Sequence, residues 1–156
     1  MIILTRVDHR LLHGQVAFSW TQSIGADCIL IANDDVPNNE IRKTTIKLAK
    51  PQGVKLAIKS IEDSIAALQS GVTDKYKLFI VVESVRDAYQ LAKACPQIKQ
   101  INLGGIKAKE GTRSLGKAVN VLPEEEKLLE QMIADGIEVE IRQVPADKKI
   151  AAKEVL

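Results

Sequence analysis

The sequence predicts an α/β fold in which successive βα units line up on a parallel sheet. Short apolar, β-branched runs alternate along the whole chain with amphipathic stretches of helical period. Capping residues and Gly or Pro stops separate them, and several runs are apolar at every position, as strands buried on both faces must be. The 156 residues fit one core with no linker or composition break, so residues 1–156 are expected to form a single domain.

Residues 2–5 form the first predicted strand and residues 14–23 the helix after it. Residues 28–32 form a second strand, closed by the polar stretch Asn33-Asp-Asp-Val-Pro37. Asn38 is the expected cap of a helix over 39–49, with Ile41, Thr45, Leu48 and Ala49 on one face and Arg42, Lys43, Lys47 and Lys50 around it; Pro51 and Gly53 stop it. A third strand over 55–59 leads to Ser60, a cap for a helix over 61–69 that turns Ile61, Ile65, Ala66 and Leu68 inward and ends at Gly71. The unit repeats with a strand over 77–82, Ser84 as cap, a helix over 85–94 and Pro96. A strand over 100–103 then enters Gly104-Gly105.

The stretch to Lys117 has no clear period, and 118–121 reads as another strand. Pro123 with Glu124, Glu125 and Glu126 is a strong helix start, because proline suits the first turn and carboxylates suit the positive end of the dipole. Leu128, Leu129, Met132 and Ile133 form its inner face, Gly136 ends it, and 137–143 alternates as a last strand before Val144-Pro145 and a polar tail.

Composition removes several functions. At 46% hydrophobic and 27% charged residues the chain is an ordinary globular sequence rather than a disordered one. A net charge of +2 with mixed signs, and five aromatics in all, give neither the basic stripe nor the stacking platform of a nucleic-acid binder. No apolar run approaches bilayer length, and the start of the chain lacks the parts of a signal peptide, so a cytoplasmic location is expected. Cys28 and Cys95, with two histidines, make neither a disulfide framework nor a metal cluster; no metal and no cofactor is expected.

Chemistry concentrates where the first strand ends. Arg6, Asp8, His9, Arg10 and His13 fall within eight positions, between a strand's carboxyl end and a helix start, which is where open α/β sheets bind ligands. A neutral imidazole is a nucleophile, and it can carry a phosphoryl group. Arg6 and Arg10 can each grip a phosphate with two parallel hydrogen bonds. The free backbone N–H groups of Gly14, Gln15 and Val16 face the same anion if His13 begins the helix. Asp8 would repel a phosphate but can orient an imidazole or an arginine. The cluster therefore fits phosphate binding or phosphoryl transfer through a covalent histidine; the plain alternative is a set of surface salt bridges. His9, between two charged residues, reads as exposed, and Trp20 as a core residue.

The run Arg6-Val-Asp-His-Arg-Leu-Leu-His-Gly-Gln-Val16, with Trp20, resembles the signature of IIB components of the sorbose/mannose-type sugar phosphotransferase system. The likeness extends over the chain through Ala32-Asn-Asp-Asp35, Asn102-Leu-Gly-Gly105 and Val144-Pro145. It implies a three-layer α/β/α domain with a mostly parallel central sheet of about six or seven strands. It also implies a phosphocarrier: His13 accepts a phosphoryl group on Nδ1 from phosphohistidine on a IIA protein, then passes it to a sugar held by membrane IIC/IID components. The sugar is a hexose or N-acetylhexosamine, with N-acetylgalactosamine favoured by overall similarity. Carried over, Arg10 steadies the phosphoryl, Asp8 orients the loop, and Arg6 matches the motif as a phosphate ligand.

Ser84, Gly104 and Gly105, just past strand ends, are further candidate phosphate donors, or else simply a helix cap and a turn. Leu11 and Leu12, beside the loop, are candidate contacts for the partner proteins. Two rival readings remain. Gly111-Thr-Arg-Ser-Leu-Gly-Lys117 imitates a P-loop, but Ala118 replaces the required Ser or Thr and no helix follows. A regulatory module that binds a sugar phosphate or another anion without being phosphorylated would use the same arginines, although it would not need His13.

Overall fold

A computed structural model describes residues 1–156. The chain runs β1 (Ile2–Asp8), α1 (Gly14–Ile24), β2 (Cys28–Ala32), α2 (Glu40–Ala49), β3 (Lys55–Lys59), α3 (Ile61–Ser70), β4 (Leu78–Val82), α4 (Val85–Ala94), β5 (Gln100–Gly105), β6 (Arg113–Ser114), β7 (Asn120–Val121), α5 (Pro123–Ala134), β8 (Glu138–Ile141) and β9 (Ile150–Ala151). Seven strands form one sheet in the order β3-β2-β4-β1-β5-β8-β9, parallel except for β9 against β8. The expected three-layer architecture is present.

Crossover handedness decides which helix covers which face. From β1 the chain steps towards β2 and then β3, and from β3 it returns the other way through β4, β5 and β8. Right-handed crossovers in opposite directions must use opposite faces. Accordingly Ala17 and Trp20 of α1 and Ile46 of α2 pack with Leu4, Ile29, Ile31, Phe79 and Val81. The helices α3, α4 and α5 cover Val7, Leu30, Ile80, Ile101 and Val139 on the other face. β1 thus leaves its strand end towards one face while both neighbours, β4 and β5, leave towards the other, which opens a crevice beyond the carboxyl end of β1.

Several elements differ from the sequence expectation. β1 runs on through Arg6 and Asp8, both buried, because these charges pair with each other inside the fold. A short 3-10 turn over Val36–Asn38 moves the α2 cap one residue on, so that Asn39, not Asn38, accepts the Arg42 N–H at 3.1 Å. The α2 face is also different: Ile46 alone is buried, while Ile41 and Leu48 are 81% and 83% exposed and Thr45 is exposed as well. In α3, Ser64 is buried and Ala66 exposed.

Gly104 and Gly105 close β5 as strand residues instead of forming a turn. The segment from Gly111 to Lys117 enters the β6–β7 hairpin, outside the main sheet, so it has no P-loop geometry. The end of the chain is not a free polar tail: Ile150–Ala151 pairs with β8, and Ala152 is fully buried. No helix is long and apolar enough to cross a membrane.

The α2 packing gives a direct test. Ile46→Ala is expected to cost about 2–5 kcal/mol in urea unfolding, as a large-to-small core change does. Leu48→Ala, on the exposed face, should stay within about 0.5 kcal/mol of the native chain.

Candidate active site at the end of the central strand

Strand alternation sends Arg6 and Asp8 of β1, Asn102 and Gly104 of β5, and Glu140 of β8 to the α1 side of the sheet, while Val7, Leu103 and Val139 face the other helices. This half of the α1 side is polar and closed by one large ring. The guanidiniums of Arg6 and Arg142 both lie over the Trp20 ring, with Cζ atoms 5.3 and 5.0 Å from its centroid. Its indole N–H donates to the Gln143 carbonyl at 3.0 Å. Trp20 is a core residue, as expected, and it also forms a shelf for Arg6.

Arg6 donates from Nη2 to Asp8 Oδ2 at 3.0 Å and from Nη1 to Asn102 Oδ1 at 2.7 Å. With its side chain 3% exposed, it faces Asp8 and Asn102 and not the crevice. The expectation that Arg6 grips phosphate therefore gives way to a supporting position. Gly104 makes this possible, because a Cβ there would come within 2.0 Å of the guanidinium carbon. At Gly105 a Cβ would stand 3.2 Å from Asp8 Oδ1. The close approach of β1 side chains is thus a steric reason for glycine at both positions.

Asp8 is fully buried and accepts three hydrogen bonds. Oδ1 takes the Arg10 backbone N–H at 2.9 Å, and Oδ2 takes Arg6 Nη2 and lies 3.0 Å from His13 Nε2. Burial alone would push this carboxyl up, but the bonds from His13 and Arg10 and the charge on Arg6 hold it below the usual range. Burial pushes the Arg6 guanidinium down while Asp8 pulls it back up; it stays charged.

An ionised carboxylate only accepts, so His13 must donate from Nε2, and the neutral ring then carries a bare lone pair at Nδ1. His13 is also the N-cap of α1, with extended backbone and a carbonyl that accepts from the Ala17 N–H at 3.1 Å. The amides of Gly14, Gln15 and Val16 have no acceptor within the chain, so the helix start faces the ring with free donors.

The loop between them is strained. Leu11 has φ 59°, a left-handed conformation that costs a branched side chain about 1–3 kcal/mol. It is held by its N–H to the Asp8 carbonyl at 2.8 Å and by burial of its side chain. Leu11 and Leu12 are 3% and 2% exposed, so they anchor the loop and are not the partner contacts anticipated for them.

The Arg10 side chain is 54% exposed, with Nε 4.0 Å from Asp8 Oδ1, which leaves its guanidinium free beside the crevice. His9 is exposed and donates its backbone N–H to the Gly105 carbonyl at 2.8 Å. Ser84 Oγ caps α4 by accepting the Asp87 N–H at 3.1 Å. Sequence reasoning missed Asn102 and Arg142 as parts of this assembly. Alternation on β5 pointed to Asn102, a polar side chain between the buried Ile101 and Leu103, whereas Arg142 follows the end of β8 and carries no such signal. No group of metal-ligating side chains is present.

These features define a class: an α/β protein that presents one bare imidazole nitrogen, backed by a buried carboxylate, in a cradle of anion donors. The model of the PTS system sorbose subfamily IIB component matches residues 2–156, and the chain belongs to that family: it is a phosphocarrier and phosphotransferase component of the sugar phosphotransferase system.

The sorbose-specific EIIB component of Klebsiella pneumoniae is 31% identical over 149 residues, 96% of this chain and 91% of that protein. The fructose-specific EIIB component of Bacillus subtilis is 32% identical over 94% of this chain and 90% of its own length. A probable phosphotransferase enzyme IIB component of Streptococcus pyogenes is 42% identical over 106 residues, and there the chain spans 65% of the relative's length. The crystal structure of the IIBSor domain of the K. pneumoniae sorbose permease superposes with a TM-score of 0.90 at 31% identity, covering 96% of this chain and 92% of that one.

Two predictions follow from the Arg6–Asp8 pair. Gly104→Ala should displace the guanidinium and cost about 1–3 kcal/mol or more, as overpacking does, measured by urea unfolding. Asp8→Asn leaves Arg6 buried and unpaired, at a cost of about 3–5 kcal/mol near neutral pH. Because the folded Asp8 value lies below the unfolded one (about 3.9), its contribution is complete above that pH and is lost as pH falls through the depressed folded value. Thermal unfolding followed into acid should therefore show the gap between native chain and Asp8→Asn closing at low pH.

Proposed function

We propose that this chain takes a phosphoryl group onto Nδ1 of His13 from a phosphohistidine of a IIA protein and delivers it to a hydroxyl of a hexose or N-acetylhexosamine held by membrane IIC/IID components. The observation that carries this reading is the 3.0 Å contact between Asp8 Oδ2 and His13 Nε2, which leaves Nδ1 as the nucleophile. In the first transfer the Nδ1 lone pair forms a bond to phosphorus while the bond to the donor imidazole breaks, and that imidazole departs with the electron pair. The Nε2 proton stays on His13, and Asp8 neutralises the positive charge that phosphorylation places on the ring. In the second transfer the sugar oxygen attacks and Nδ1 leaves; the hydroxyl proton goes to a base outside this chain.

Exchange between two imidazoles is nearly balanced, so positioning and anion stabilisation supply the rate. Free amides at the α1 start and the exposed Arg10 side chain serve that purpose. Ser84 retains its hydroxyl proton and stands as a secondary donor candidate, while Gly104 and Gly105 act by making room.

IIA and the membrane components must both approach the His13 loop, so each excludes the other. Phe18, one turn after Gly14 on α1 and 51% exposed, with the exposed Gln15 three residues before it, is the surface both would cover. The reading places the protein in the cytoplasm. Its relatives include sorbose-, fructose- and mannose-specific EIIB or EIIAB components, and the solved structures include an N-acetylgalactosamine-specific IIB from Escherichia coli at 28% identity. That spread fits sugar selection outside the IIB chain; N-acetylgalactosamine is one of the sugars it would serve.

The test is phosphoryl transfer from phosphoenolpyruvate through the general phosphotransferase proteins and a competent IIA. Acid-labile label is expected on the native chain and on His9→Ala, and none on His13→Ala. Arg10→Ala should slow acceptance about tenfold or more, the loss of a charge-assisted hydrogen bond. No label on the native chain would replace the carrier reading with that of an anion-binding module.

A further inference from the structure

Behind Asp8 lies a carboxamide that the phosphoryl chemistry above does not use. Asn102 of β5 is fully buried and stands beside Arg6 across the β1–β5 ladder and beside Glu140 across the β5–β8 ladder. Its Oδ1 accepts from Arg6 Nη1 at 2.7 Å, and its Nδ2 donates to the Arg142 carbonyl at 3.0 Å. The orientation has one solution: the flipped amide would aim N–H at a guanidinium and oxygen at a carbonyl.

The remaining contacts on Arg6 leave one freedom open. Trp20 meets Arg6 by a cation–π approach, with Cζ 5.3 Å from the ring centroid, and an attraction of this kind does not fix how the guanidinium is turned. In-plane orientation is set at the edges, where Asp8 Oδ2 takes Nη2 and Asn102 takes Nη1; the other Nη1 contact, to the Arg142 carbonyl, is 3.4 Å long. Asp8 Oδ2 is shared between Arg6 Nη2 and His13 Nε2, so a shift of the guanidinium is a shift in what the imidazole meets.

We propose that Asn102 is a positioning residue for phosphoryl acceptance: by clamping Arg6 it holds Asp8 against His13 Nε2 and so keeps the ring in the tautomer with Nδ1 bare. This rests on the reading of His13 as acceptor and extends it two contacts deeper into the sheet. Asn102 touches no reacting atom. Its effect is on tautomer and ring orientation, and both can be read without any phosphoryl donor.

The full chain labelled with 15N-histidine, studied by long-range 1H–15N correlation at alkaline pH, reports the tautomer directly. The native chain is expected to show the Nε2–H form and Asn102→Ala a mixture of both forms. In the transfer assay the same variant should accept phosphoryl about tenfold more slowly at an unchanged half-saturating IIA concentration. Leu103→Ala, the next residue on β5 but in the opposite core, is the control for general destabilisation and should keep the native tautomer. Asn102→Ser serves in the same role should Asn102→Ala not fold.

A folded Asn102 variant with the native tautomer and a rate within about twofold of native would overturn the proposal. So would a Leu103→Ala chain that loses the tautomer equally. A native chain that takes no phosphoryl, with the tautomer still dependent on Asn102, would overturn the acceptor reading instead and leave the linkage between the two residues established.

Discussion

The site is organised around one buried ion pair, Arg6 with Asp8, set two residues apart on the central strand. Side chains 3% and 1% exposed cannot be solvated by water, and removing charges from water costs several kcal/mol per ion unless partners replace it. Each neighbour of the pair supplies part of that replacement. Asn102 and the Arg142 carbonyl accept from the guanidinium, Trp20 offers its face, and the Arg10 amide and His13 ring donate to the carboxylate. Glycine at position 104 is what allows the guanidinium to lie flat against β5.

The arrangement separates holding from reacting. Of the groups that hold, Arg6, Asp8 and Asn102 are in the sheet, where ladder register sets them side by side. The groups proposed to react are at the end of β1, where a loop strained at Leu11 and anchored by two buried leucines delivers His13 to the first turn of α1. Sheet topology makes room for this by sending the chain to opposite faces from β1 and from its neighbours. The imidazole is thereby committed at Nε2 and bare at Nδ1, which is the arrangement the proposed phosphoryl transfer uses.

A polar sheet face under a single helix is the cost of this design. β5 and β8 alternate Ile101, Asn102, Leu103 and Val139, Glu140, Ile141, apolar towards α4 and α5 and polar towards α1. Arg142 sits 3.0 Å from Glu140 Oε2, and its guanidinium also lies over the Trp20 ring. Two cores of different character result: a large apolar one under three helices, and a smaller one that ends in the ion pair.

The sequence by itself determined the alternation of elements, the apolar strands, the caps at Ser60 and Ser84 and the density of chemistry between Arg6 and His13, because these depend on neighbours a few residues apart. Tertiary structure decided everything that depends on partners far along the chain. Charges at Arg6 and Asp8 suggested that β1 stops early, yet pairing inside the fold carries the strand through them. The sequence pattern put Ile41, Thr45, Leu48 and Ala49 on the inner face of α2, and packing on the sheet chose Ile46 instead. Asn102, Gly104 and Arg142 are about a hundred residues or more from Arg6 in sequence and meet it only through β1–β5–β8 pairing. Local pattern has no access to that pairing, which is why the groups that surround Arg6, unlike the candidate histidine, emerged only with the folded chain.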